Sequence, residues 1–181
     1  MKNLGTQTLE SERLILRRLK VEDAEAIFNG VINQEEFLYY ANKSKVTLEQ
    51  EIESLERAVK NYENSDYYNW AITTKEDDKI VGLIHLRVIE KNDSVEFSYA
   101  VDKSFTGKGY MTEALKLVLD FALNEMKVNR IQGACVTENI ASRRVMEKCN
   151  MTCEGRLRKY IHLCDGYHDA FMYSLVNWYN D

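Results

Sequence analysis

Apolar positions along the chain change period several times, and each change marks an element. Arg13 to Leu19 alternates imperfectly but is rich in β formers, and it reads as a first strand. From Glu22 to Val31 the residues Ala24, Ala26, Ile27 and Val31 fall at helical spacing, which predicts a short helix ending near Gly30. Residues 33–45 are polar and aromatic without a clear period, so a loop or a broken helix is expected there. Thr47-Leu48-Glu49-Gln50 is a capping box, and behind it Leu48, Ile52, Leu55, Ala58, Val59 and Tyr62 recur at three and four, giving a second helix. Tyr67 to Thr74 and Lys79 to Ile89 are strand-like and flank Glu76-Asp77-Asp78, a turn. Lys91-Asn92-Asp93 turns the chain again before a strand from Val95 to Val101, which completes an antiparallel meander.

The second half changes character. Met111, Ala114, Leu115, Val118, Ala122 and Met126 make one apolar stripe on a long helix, and Arg130 to Val136 is apolar enough for a buried strand. Strand, helix and strand in that order predict a parallel pair joined by a right-handed crossover. Asn139 reads as the N-cap of a further helix with Val145, Met146 and Cys149 on its buried face. Asn150 sits where a left-handed residue would close that helix. Two last strands, about Thr152 to Leu163 and His168 to Trp178, meet across Asp165-Gly166, a hairpin signal. With no repeats, linkers or low-complexity stretches, residues 1–181 read as a single mixed α/β domain with about four helices.

Between the meander and the long helix lies Ser104-Phe105-Thr106-Gly107-Lys108-Gly109-Tyr110-Met111-Thr112-Glu113-Ala114. Gly107 and Gly109 allow positive φ and close approach of a ligand to the backbone. The helix that follows leaves its first N–H groups unpaired at the positive end of its dipole, so the stretch reads as a phosphate cradle. It is not a Walker A loop, because Gly109 follows Lys108 and Asp102 occupies the first glycine position. Nor is it a dinucleotide fingerprint, since Thr112 stands at the third small position and the loop lies deep in the chain.

Net charge is −5, from 24 basic and 29 acidic residues, with no basic patch interleaved with aromatics, which argues against nucleic acid as a partner. No apolar run reaches the roughly eighteen residues that span a bilayer, so no membrane partner is expected. Met1 to Gly5 lacks the apolar stretch of a signal peptide; a cytoplasmic protein is expected, with its thiols reduced. Cys135, Cys149, Cys153 and Cys164 form no C-x-x-C pair and no paired His spacing, so no metal site is expected.

Taken together, Glu12 to Arg17, Gly107 to Ala114, Asn139 to Lys148, Glu154-Gly155 and Gly166 to Asp169 resemble the GNAT superfamily of N-acetyltransferases, and within it the RimJ/RimL-type branch. The resemblance covers nearly the whole chain. It implies a central, mostly antiparallel sheet that splays open between two neighbouring strands, with acetyl-coenzyme A in the split. It also implies pyrophosphate binding by Thr106, Gly107, Lys108, Gly109, Tyr110, Met111 and Thr112, and a thioester oxygen facing the N–H of Val101. The family loop runs [Gln/Arg]-x-x-Gly-x-[Gly/Ala], and here Thr106 and Met111 depart from it while Gly109 is kept. The commoner pattern places a tyrosine acid seven residues after the motif asparagine, where this chain has Met146.

The implied reaction is attack of a primary amine on the thioester through a tetrahedral oxyanion. Ser142, three residues after Asn139 and on the same side of the first helical turn, is the expected hydrogen-bond donor to the leaving thiolate, and both residues are expected at the cofactor. Glu96 is the first candidate base and His85 the second, whereas His162 and His168 look structural beside Tyr167 and Asp169, which help shape the substrate side. A protein N-terminal amine has a pKa of about 7.7 to 8.0 against about 10.4 for lysine, so it needs little base help. That favours a protein N-terminus as acceptor, with a small cationic amine such as an aminoglycoside or polyamine as the rival. A non-catalytic acyl-coenzyme A sensor is the alternative outside catalysis. A monomer or a homodimer is compatible with the sequence.

Overall fold

The computed structural model describes residues 1–177, so the predicted end of the last strand at Trp178 lies outside the described residues. Eight strands form one sheet: β1 (Leu9–Glu10), β2 (Leu14–Arg17), β3 (Tyr68–Thr74), β4 (Ile80–Ile89), β5 (Ser94–Val101), β6 (Arg130–Val136), β7 (Thr152–Leu163) and β8 (Gly166–Val176). Their order is β1-β2-β3-β4-β5-β6-β8-β7. Every neighbouring pair is antiparallel except β5 and β6, which are parallel as the crossover predicts.

Among the described residues five α-helices flank the sheet: α1 (Ala24–Ile27), α2 (Glu35–Tyr40), α3 (Leu48–Asn61), α4 (Tyr110–Asp120) and α5 (Ile140–Lys148). The count is one above expectation because α2 forms inside residues 33–45. It buries no residue, so it leaves no apolar period to read. The capping box ahead of α3 is present as predicted, with Thr47 Oγ1 accepting from the Gln50 N–H at 3.3 Å and Gln50 Oε1 accepting from the Thr47 N–H at 2.9 Å. Val59, expected on the buried face of α3, is 41% exposed; Leu55 and Ala58 carry that face instead. Both α1 and α4 run on into a wide π turn, Phe28–Ile32 and Phe121–Glu125. Asn150 closes the segment after α5 at φ +58°, the left-handed position expected of it.

The two faces of the sheet carry two cores. Met111, Ala114, Leu115 and Val118 of α4 and Met146 of α5 pack on Leu14, Leu16, Trp70, Ile84, Leu86 and Phe97. On the other face Ala24 and Ile27 of α1 and Leu55 and Ala58 of α3 pack on Ala71 and Ile80. Each fully buried Leu, Ile, Val, Phe or Met side chain among them contributes about 1.5 to 3 kcal/mol. The strands that hold the site are therefore clamped from both sides.

Between β5 and β6 the ladder is short. It joins Ser94 to Arg130, Val95 to Ile131 and Glu96 to Gln132, and no pairing follows. The next residues along are Phe97 and Gly133, and the Phe97 ring fills the place where a Cβ on residue 133 would lie. That ring stacks on Tyr99 with centroids 6.0 Å apart and planes 4° from parallel. An aromatic wedge thus replaces the next rung, and the sheet splays open there, as the resemblance implied.

Candidate cofactor and active site

The loop after β5 is built from local bonds. Asp102 Oδ1 accepts from the Ser104 N–H and hydroxyl, both at 2.8 Å, and a short 3-10 turn at Lys103–Phe105 follows. Gly107 takes φ +76° and Gly109 φ +81°, as a close backbone approach requires. The first α4 hydrogen bond runs from the Glu113 N–H to the Gly109 carbonyl at 3.1 Å. Tyr110, Met111 and Thr112 therefore lie within the turn whose N–H groups lack helical acceptors. Thr106, Gly107, Lys108 and Gly109 are all exposed. The base of the loop is pinned from α1's side: the Asp102 carboxylate occupies the space a Cβ on Gly30 would need, and the Lys103 N–H donates to Gln34 Oε1 at 3.1 Å.

Val101 ends β5 beside this loop. The Asp102 N–H donates to the Val81 carbonyl at 2.9 Å, which makes residues 102 and 81 a hydrogen-bonded pair. Antiparallel pairs alternate, so Val101 opposite Gly82 and Tyr99 opposite Ile84 are non-hydrogen-bonded pairs whose N–H groups point away from β4. Above Glu96 they point into the split. This backbone supplies two donors, at Tyr99 and Val101, where sequence reasoning named one.

The far wall is the N-terminus of α5. Asn139 caps it as expected, with Oδ1 accepting from the Ser142 N–H at 2.9 Å. Ser142 Oγ lies 2.8 Å from the Tyr99 hydroxyl. Tyr99 thus reaches across from β5 to the serine. It was hidden in the sequence because Phe97, Tyr99 and Val101 alternate along one sheet face and read as core. Burial pushes the Tyr99 hydroxyl far above the ordinary tyrosine range, the hydrogen bond to Ser142 opposing this only in part, so it stays protonated. Cys135 on β6 lines the same place; burial pushes its thiol up to about 11, against the lowering effect of Ser142. Met146 is buried at 1% exposure and serves as core.

The candidate bases are placed less favourably. Glu96 binds Arg87 at 3.1 Å and accepts from Gln132 Nε2 at 3.3 Å, on the sheet face opposite Tyr99 and Val101. It also precedes Val101 by five residues, about 16 Å of strand. Direct proton removal by Glu96 at a thioester held by Val101 is out of reach in this geometry. His85 sits opposite Ser98 with its ring 6.4 Å from Tyr67, and burial, followed by the charge of Arg87, pushes its pKa down.

At the open end α2 meets the β7–β8 hairpin. The Tyr39 hydroxyl donates to Asp165 at 3.1 Å, His168 Nε2 lies 2.8 Å from Asp165, and His168 Nδ1 is 4.0 Å from Glu138. The His162 ring lies against Tyr167, tilted by 52° with centroids 4.6 Å apart, and Tyr167 is 66% exposed. Asp169 accepts from the Lys159 N–H at 2.8 Å and from Arg156 Nε at 2.7 Å, holding a bulge in β7. Both histidines thus have neighbours at the hairpin end, and Asp169 is engaged by Arg156 and the Lys159 N–H of β7.

Comparison with known proteins agrees with this geometry. A family model described as an acetyltransferase (GNAT) domain matches residues 13–152. The uncharacterized N-acetyltransferase YoaA of Bacillus subtilis is 28% identical over 169 residues, covering 93% of this chain and 96% of that protein. A crystal structure of a GNAT-family acetyltransferase from Bacillus anthracis superposes with a TM-score of 0.83 at 25% identity, over 94% of this chain and 98% of that one. The ribosomal-protein-S5-alanine acetyltransferase of Vibrio fischeri also reaches 0.83, at 22% identity over 94% and 97% of the two chains. A parallel pair splayed beside a two-glycine loop and a family match over most of the chain converge: this protein belongs to the GNAT acetyltransferase family.

Proposed function

We propose that this protein moves the acetyl group of acetyl-coenzyme A to a protein N-terminal α-amine. The observation that carries the choice of acceptor is the engagement of Glu96 by Arg87 and Gln132, away from the split. With Glu96 held on the other sheet face, the amine must arrive neutral. An α-amine does so near pH 8, while a lysine amine is about 99% protonated there. The likeness in fold to an enzyme named for a ribosomal-protein alanine supports the same acceptor class.

In this reading the pyrophosphate lies on the N–H groups of residues 107–112, and the pantetheine arm runs down the split. The amine attacks the thioester carbon, and the oxyanion takes hydrogen bonds from the Val101 N–H and its neighbour at Tyr99. A preorganised donor of this kind lowers the barrier by about 3 to 4 kcal/mol. The C–S bond then breaks, and the thiolate accepts a hydrogen bond from Ser142, whose hydroxyl is held in turn by Tyr99. With a thiol pKa of about 8.5, the thiolate leaves without full protonation. The proton lost by the attacking nitrogen ends on the thiol through water. Asn139 fixes the Ser142 backbone, which is a positioning role.

A small cationic amine is the second reading, favoured by two acidic groups at the hairpin end, Asp165 beside Tyr39 and Glu138 beside His168. One assay separates the two: release of free thiol from acetyl-coenzyme A at pH 7.5 with an α-amino peptide, an Nα-blocked lysine peptide and spermidine. The α-amino peptide is expected to give the highest kcat/KM. A larger value for spermidine would favour the second reading, and one for the lysine peptide would reject the α-amine acceptor.

A further inference from the structure

The segment before β2 and the loop before α4 are far apart in the chain, yet Arg13 joins them. Its Nε and Nη2 donate to Glu113 Oε2 at 2.8 and 2.5 Å, across 100 residues of sequence. Nη1 donates to the Lys108 carbonyl at 3.2 Å, and the guanidinium lies over the Tyr110 ring, 4.5 Å from its centroid. Nη2 is also the nearest atom to the empty Cβ position of Gly109, at 3.6 Å. One side chain thus binds Lys108 and Tyr110 and lies over the open side of Gly109 between them.

Glu113 explains why it has to. The carboxylate stands in the first turn of α4, at the helix end that must attract the phosphates. An unpaired negative charge there would oppose them. Four donors surround it instead: the Ser11 hydroxyl at 2.6 Å and the Arg13 N–H at 3.2 Å on Oε1, and the two guanidinium N–H groups on Oε2. Burial alone would raise the Glu113 pKa, but the hydrogen bonds from Ser11 and Arg13 outweigh it and hold the group below the usual carboxylate range. Glu113 is therefore a fixed anion at neutral pH, and Arg13 is the cation that cancels it.

We propose that Arg13 is a positioning residue for acetyl-coenzyme A: it fixes Lys108 to Tyr110 in the shape that receives the phosphates, and it neutralises Glu113 so that the α4 N-terminus keeps its pull on them. This rests on the cradle reading of residues 106–112. It also gives a task to Arg13 within the Glu12 to Arg17 motif, which the transfer chemistry leaves unused.

The test measures acetyl-coenzyme A dissociation constants by calorimetry, with kcat and KM, for Arg13→Gln, Glu113→Gln, the double variant and Gly109→Val as a cradle control. Losing a charge-assisted grip is expected to weaken binding by Arg13→Gln about tenfold or more, with kcat at saturation within about twofold. Adding Glu113→Gln to Arg13→Gln is expected to restore about fivefold, because the uncancelled charge is gone, and 0.5 M salt is expected to narrow the gap. A role confined to folding would leave the double variant no better than Arg13→Gln, and that result overturns the proposal. Unchanged binding by Arg13→Gln overturns it too. If Gly109→Val also binds normally, the cradle reading falls and the inference with it; if only Gly109→Val loses binding, the inference alone falls. Should Arg13→Gln not fold, Arg13→Lys keeps the charge but loses the two-pronged grip, and a KM raised about threefold or more with kcat kept is the expected result.

Discussion

The lower and upper halves of the β5–β6 pair are made by the same two strands and behave in opposite ways. From Ser94 to Glu96 they share a parallel ladder, and the polar side chain of Glu96 is tied to Arg87 and Gln132. From Phe97 to Val101 the ladder is gone, a ring sits on a glycine, and the N–H groups of Tyr99 and Val101 face a groove bounded by the two-glycine loop and Ser142. The lower half uses its hydrogen bonds within the fold, while the N–H groups of the upper half face the split, where we propose that a ligand takes them. Catalysis in this reading comes from backbone left unpaired by packing, with few side chains needed.

Each of these contrasts can be broken. The largest effect is expected from Gly109→Val, which puts a β-branched side chain at φ +81° in the cradle. Acetyl-coenzyme A affinity should fall about a hundredfold or more with the fold kept, measured by calorimetry alongside a thermal melt. Next comes Gly133→Val, whose side chain would meet the Phe97 ring. Overpacking of this kind costs about 1 to 3 kcal/mol and is expected to lower the urea midpoint, with binding weakened as the wedge moves. Ser142→Ala is expected to reduce kcat about tenfold, one hydrogen bond to the leaving group, while cofactor affinity stays within about threefold. Equal turnover would remove Ser142 from the mechanism.

The smallest effect concerns the closed side of the sheet, where Glu154 is gripped by Arg130 at 2.6 and 2.5 Å and by Ser174 at 2.7 Å. The Arg130 guanidinium and then the Ser174 hydroxyl lower its pKa from 4.5 to about 2. A depressed carboxyl stabilises the fold above its unfolded pKa and loses that contribution as pH falls through the folded one. Melting temperature should therefore drop between pH 4.5 and about 2 in the wild type, and less steeply in Glu154→Gln.

Local signals in the sequence carried most of this architecture. Apolar periods, the Thr47 capping box, the Asn139 cap and the two glycines each depend on neighbours a few residues away, and each predicted its element. What stayed hidden depends on distant partners. Phe97 reads as ordinary core until Gly133 is brought beside it, and Tyr99 as stripe until α5 delivers Ser142 to its hydroxyl. Arg13 reads as the start of a strand, although its guanidinium lies against the cradle. Helix α2 was missed for the opposite reason, since it buries nothing and leaves no pattern. Glu96 was a plausible base by residue type, but its partners Arg87 and Gln132 come from flanking strands.

The most direct measurement is amide hydrogen exchange at single residues of β5, with and without acetyl-coenzyme A. In the free protein Val95 should exchange slowly and Tyr99 and Val101 fast, and saturating cofactor should slow Tyr99 and Val101 while leaving Val95 unchanged. If Tyr99 and Val101 are already as protected as Val95 in the free protein, or if cofactor leaves their rates untouched, the backbone they share is not the cofactor's binding edge.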